Sequence, residues 1–154
     1  MRKLYLDTET FGKTSPLWTI QWALDDDDPH IHNIWEEPVS STLELIESIT
    51  TYRVVGWNLD FDWFQLVKWY NILDCYCYEY PLASTQMPDP WKVCALEDKV
   101  RPSDWCLKPV QSCDLMIVAQ KGPFQQLMKR DKPLTIKRVP ALYMDPIIDG
   151  IISR

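Results

Sequence analysis

The chain opens with Leu4-Tyr5-Leu6-Asp7-Thr8-Glu9-Thr10, an apolar run ending in two carboxylates one residue apart. In an extended strand, residues two apart share a face. Asp7 and Glu9 are therefore expected side by side at the end of a buried strand. Carboxylates that close repel unless a proton or a cation lies between them, and oxygen ligands of this kind suit Mg²⁺ or Mn²⁺. The same pattern also fits a strand running into a solvated turn, so the pair gains meaning only beside a second acidic group. Asp62 is the candidate. Tyr52 to Trp57 is β-rich, and Trp63, Leu66, Val67, Tyr70 and Leu73 then recur at helical spacing, predicting a helix from about Asp62 to Leu73. A carboxylate in a first helical turn is favoured there. Just past a buried strand, it is well placed to meet Asp7 and Glu9. Asp62 also suits a plain N-cap role, and Asp60 is chemically equivalent but lacks the adjoining helix start.

The elements that would position these groups follow in order. Trp18 to Leu24 and His30 to Trp35 alternate as strands, with Asp25-Asp26-Asp27-Asp28-Pro29 as the solvated tip of an antiparallel hairpin. Ser41 and Glu44 make a capping-box pattern, and Leu43, Leu45, Ile46 and Ile49 give an apolar helix side running to about Thr50. Five prolines between residues 74 and 112 predict an irregular excursion with short helices, and Trp91 to Cys94 reads as a short strand or a helical turn. Ser112-Cys113-Asp114 reads as the cap of a helix built on Leu115, Met116, Val118 and Ala119. A basic connection follows, with Lys129, Arg130, Lys132, Lys137 and Arg138, and a last helix is expected after Pro146. The order is mixed α/β in a single domain over residues 1–154.

Composition narrows the function classes. The 154 residues are 46% hydrophobic and 25% charged, an ordinary globular balance. The net charge of −6 argues against a protein that coats nucleic acid, but not against one that grips it locally through metal ions. No secretory signal is evident at Met1-Arg2-Lys3, and no apolar run approaches the ~18 residues of a membrane span. Five cysteines without a CxxC pair suggest a reduced, intracellular setting, with zinc at Cys75, Cys77, Cys94, Cys106 or Cys113 a minor alternative. A cytoplasmic location, in a phage or bacterial context, is the expectation.

Two segments carry a resemblance. Leu6-Asp7-Thr8-Glu9-Thr10 looks like the first motif of the DEDD superfamily of 3′–5′ exonucleases, and Gly56-Trp57-Asn58-Leu59-Asp60-Phe61-Asp62 looks like its second. Ser112 to Ala119 also resembles the segment that follows in the proofreading domains of family A DNA polymerases. The resemblance implies a ribonuclease H-like fold, a mixed central sheet with flanking helices. It implies that Asp7, Glu9 and Asp62 hold two Mg²⁺ or Mn²⁺ ions, and that Glu9 orients the attacking water. Thr8, Thr10, Phe11, Asn58 and Phe61 would contact the substrate or shape the site. The implied substrate is the 3′ end of single-stranded DNA, and the implied partner a DNA polymerase domain or subunit. The chemistry is consistent, because two cations about 3.5–4 Å apart activate a water and balance charge on the leaving oxygen.

The family's third motif supplies a fourth Asp, preceded four residues earlier by Tyr or His. Asp149 follows Asp145, Asp145 follows Ala141 and Asp131 follows Leu127 at that spacing; Tyr70 and Asp74 have it but come too soon after Asp62. By position, Asp149 is the preferred fourth ligand and Asp145 the second choice. The alternative is a weakened or inactive domain of this fold that binds nucleic acid or a polymerase without cutting, or the front of a longer polymerase. Trp57 and Trp63 serve packing or stack on a base. His30 and His32 are expected to face solvent, and the basic cluster is a solvated face or a phosphate contact.

Overall fold

A computed structural model describes residues 1–12, 16–100 and 107–121. The chain forms an α/β structure around a five-stranded mixed sheet. Strands β1 (Lys3–Thr10), β2 (Leu17–Leu24) and β3 (His30–Asn33) form an antiparallel meander. Helix α1 (Val39–Ile49) returns the chain to β4 (Arg53–Gly56), which pairs parallel with β1. Helix α2 (Leu59–Glu79), two short 3-10 turns and the five-residue α3 (Pro90–Cys94) lead to β5 (Gln111–Asp114), parallel to β4, and then to α4 (Leu115–Lys121). The sheet order is β3-β2-β1-β4-β5, with β1 in the centre.

Alternation decides which way β1 faces. Leu4, Leu6 and Thr8 are buried, whereas Tyr5 and Asp7 are half-buried and Glu9 is exposed. The buried side meets α2, which presents Leu59, Asp62, Leu66, Trp69, Leu73 and Tyr76 at helical spacing. Trp69 has no exposed surface and meets Trp35 edge-on, with ring centroids 6.2 Å apart. The Trp35 indole N–H donates to the Leu17 carbonyl at 2.8 Å, which ties the start of β2 to this core. None of the helices among the described residues is long and apolar enough to cross a membrane.

Several expectations need correction. Helix α1 starts at Val39 after Pro38 and has no side-chain cap bond, so the Ser41–Glu44 capping box does not form. Proline fixes the backbone before the first turn and does the starting instead. Strand β3 stops at Asn33. His32 is not solvent-facing: it is half-buried, and its Nε2 hydrogen-bonds Thr42 Oγ1 at 2.7 Å. His30 is exposed, as expected, and stacks on Trp22 with centroids 4.3 Å apart. The acidic hairpin tip is gripped by Arg2, which donates to Asp25 at 2.8 Å and to Asp27 at 2.9 Å.

Helix α2 outruns its predicted limits at both ends. It begins at Leu59, so Asp60 and Asp62 share its first turn, and it continues through Cys75 and Cys77 to Glu79. Tyr76 extends the buried face by a further turn, which carries the helix past Leu73. The excursion at 74–112 is therefore regular at both margins: its first residues are helix, and Gln111 and Ser112 belong to β5. Trp91 to Cys94 resolves as the helical turn.

Gly56 ends β4 where the chain must leave the sheet. A Cβ there would lie 2.9 Å from Leu59 Cδ1 and 3.2 Å from the Leu6 carbonyl oxygen. The leucine tip can yield, but the β1 backbone cannot yield without disturbing the strand pairing. Gly56→Ala is expected to cost about 1–3 kcal/mol, read as a lower urea midpoint at unchanged slope.

Candidate active site

Asp62 reaches the end of β1 because that strand is longer than its parallel neighbour. The β1–β4 register runs only from Lys3↔Arg53 to Tyr5↔Val55. Beyond Gly56 the chain turns away, so the last residues of β1 have no strand beside them on that side. The first turn of α2 fills the gap. Asp62 Oδ1 accepts from the Thr8 backbone N–H at 3.0 Å and from Thr8 Oγ1 at 2.6 Å. One acidic side chain thus replaces the missing strand as partner of a buried amide. Thr8 lies between Asp7 and Glu9 in sequence, and it points to the opposite, helix-covered face of β1.

The electrostatics follow from burial. Asp62 is 3% exposed. Burial is the main reason that its pKa is pushed up to about 7; the Thr8 hydroxyl opposes this, and the charges of Asp7 and Glu9 add to it. Asp7 is raised as well, by burial first and by Glu9 second, against a lowering hydrogen bond from the Thr8 backbone. Among the described residues, no Lys or Arg forms an ion pair with any of the three. Both Thr8 bonds go to the same oxygen of Asp62, which leaves Oδ2 without a hydrogen-bond partner among the described residues. Asp7, Glu9 and Asp62 are hard oxygen donors with no paired cation among the described residues, and that chemistry fits a divalent cation. Among the described residues, no three His, Cys, Asp or Glu side chains already close around an ion position.

The other predicted residues divide. Asn58 is exposed and holds a left-handed backbone, φ 53° and ψ 50°, directly before α2. Its side chain does not cap the helix. Instead, Asp114 at the end of β5 accepts from the Asn58 N–H and the Leu59 N–H, both at 2.9 Å. Asp114 also accepts from the Met116 N–H at 3.0 Å, so the expected capping of α4 is seen at Asp114, whereas Ser112 and Cys113 lie in β5. Sequence reading missed the first role, because nothing local marks an Asp that caps a helix 55 residues upstream. Phe61 is exposed on the first turn of α2.

Thr10 Oγ1 donates to the Gly12 carbonyl and shapes the turn after β1. Phe11 stacks on Trp18 with centroids 4.9 Å apart, and both rings are about half exposed. With Trp35, Asn33, Glu36 and Pro90 they line an open cleft of about 500 Å³ at the same end of the sheet as Glu9. Trp63 is anchored as packing, its indole N–H donating to the Leu107 carbonyl at 3.2 Å. Asp131, Asp145, Asp149 and the Lys129–Arg138 cluster lie outside the described residues. Comparison with family models, with curated proteins and with solved structures finds no match to this chain.

Proposed function

We propose that the chain is a metal-dependent 3′–5′ exonuclease domain of ribonuclease H-like type, acting on single-stranded DNA ends, as the proofreading part of a polymerase does. One observation carries this reading. The Asp62–Thr8 contact brings the carboxylate of the second motif to the segment that bears both carboxylates of the first, and no cation among the described residues pairs with any of them. The sheet order β3-β2-β1-β4-β5, with the acidic strand central, is consistent with that fold.

Asp7, Glu9 and Asp62 would hold Mg²⁺ or Mn²⁺, with Asp149 or Asp145 as the expected fourth ligand. When bound, such ions supply an activated water and a counter-charge for the leaving oxygen. The chain's own contribution is positional. Thr8 fixes one oxygen of Asp62 and leaves the other available. Burial at the start of α2 keeps bulk water from screening the Asp62 carboxyl. The aromatic cleft beginning at Phe11 offers flat, sequence-tolerant surfaces on which unpaired bases stack.

The test is shortening of an oligonucleotide labelled at its 5′ end, with Mg²⁺ or Mn²⁺ and with EDTA. Wild type is expected to remove 3′ nucleotides only with metal. Asp7→Ala is expected to lose about 10³-fold in rate, the scale on which removing a principal charge-stabilising group acts. A second reading, a non-cutting domain that binds nucleic acid or a polymerase, draws on the unclosed arrangement of the three carboxylates. Metal-independent binding of the oligonucleotide with no shortening in either metal would favour it.

A further inference from the structure

We propose that Asp114 is a positioning residue for the candidate site: from the end of β5 it fixes the first turn of α2 and thereby holds Asp62 against Thr8. The inference rests on the reading of Asp62 as a metal ligand. A helix leaves its first N–H groups without internal partners, and they are usually satisfied by a side chain just before the helix. Here the residue at that place is Asn58, and its side chain makes no cap bond. Two of the orphan donors, on Asn58 and Leu59, instead converge on the two oxygens of one carboxylate from another strand.

Three features make this contact a lever rather than a local cap. The parallel register places Asp114 beside Gly56, the last residue before the chain leaves the sheet, so the contact spans the exit turn itself. The turn is sharp: Asn58 takes φ 53°, the left-handed region that asparagine enters more readily than other residues with a side chain, so its place is set as much by the Asp114 bonds as by the helix. Finally, Asp62 follows Leu59 by one helical turn, a rigid spacing. A shift at Leu59 is therefore delivered to Asp62 and to its bonds with Thr8, between Asp7 and Glu9. The same carboxylate receives the Met116 N–H, which couples the start of α4 to that of α2.

Asp114→Asn keeps the shape but removes the charge, and it turns one oxygen into an NH₂ that faces a donor. Two readings are taken on wild type, Asp114→Asn and Ile46→Val. The last is a control that loosens the α1 core without touching this chain of bonds. The first reading is the Mn²⁺ concentration that half-saturates oligonucleotide shortening. It is expected to rise about ten- to a hundredfold in Asp114→Asn, as for other groups that orient metal ligands, while the rate at saturating Mn²⁺ changes far less. The second is hydrogen exchange of the Thr8 amide, expected to speed up about tenfold in Asp114→Asn relative to amides in the middle of β2. Ile46→Val is expected to move neither.

If Asp114→Asn lowers the melting temperature but leaves both readings where the control has them, the positioning role is overturned. If wild type shows no metal-dependent shortening, the nuclease reading falls and the Thr8 exchange alone decides whether Asp114 holds Asp62. Should Asp114→Asn fail to fold, it is combined with Asn58→Gly, which relieves the left-handed backbone and leaves the Asp114 contact broken.

Discussion

Asp62→Asn is expected to make the metal-free protein more stable at pH 8 while abolishing its metal-dependent activity. The Asp62 carboxyl titrates at about 7 in the folded chain and near 3.9 when unfolded. Between those values the folded state holds a proton that the unfolded state has released. Stability therefore falls as pH rises from about 4 to about 7 and is level beyond. Each unit of difference corresponds to about 1.4 kcal/mol, so the loss amounts to as much as about 4 kcal/mol. Asparagine carries no charge, and its carbonyl oxygen can accept both Thr8 bonds. In EDTA at pH 8 the variant is expected to melt on the order of 10 °C above wild type, with the gap closing toward pH 5. Adding Mn²⁺ at pH 8 should raise the wild-type melting temperature by linkage and leave the variant unmoved. Parallel pH profiles for the two proteins would show that Asp62 is not a buried charge in the folded chain.

Trp69→Ala is the core substitution with the largest expected cost, about 3–5 kcal/mol. Trp69 is fully buried on α2 and supports Trp35, whose N–H holds the Leu17 carbonyl. Losing it leaves a cavity between the helix and the start of β2, beneath the cleft that Phe11 and Trp18 border. Against a total stability of about 5–15 kcal/mol this is a large fraction, and thermal melting should fall on the order of 10 °C. Trp69→Phe is expected to cost only about 1–2 kcal/mol. The Trp69 indole N–H is buried with no partner among the described residues, so its removal forfeits no hydrogen bond. Equal losses for the two variants would mean that the ring edge, not its volume, matters here.

The two substitutions sit on one helix face, and they show how far the sequence could be read. Leu66, Trp69 and Leu73 repeat at the helical period, so the helix and its buried side are visible in the chain itself. Its first turn is not, because Leu59 and Asp60 carry no start signal that their neighbours can confirm. The cap that fixes them comes from Asp114, on a strand that reads as a helix cap in isolation. The place of His32 is hidden for a similar reason: alternation tells which residues share a face, but not that α1 brings Thr42 onto that face.

By itself, then, the sequence determined the periodic features: the acidic β1 with Asp7 and Glu9 on one side, the hairpin of β2 and β3, and the apolar stripe of α2. These depend on neighbours within a few residues, and local geometry enforces them. Only the tertiary structure decided that Asp62 would bind the Thr8 amide 54 residues away and would be buried there without a cation. The reason is physical. A carboxylate's charge state and its partners are set by the depth at which packing leaves it and by the groups that reach it, and neither is written in the residues beside it.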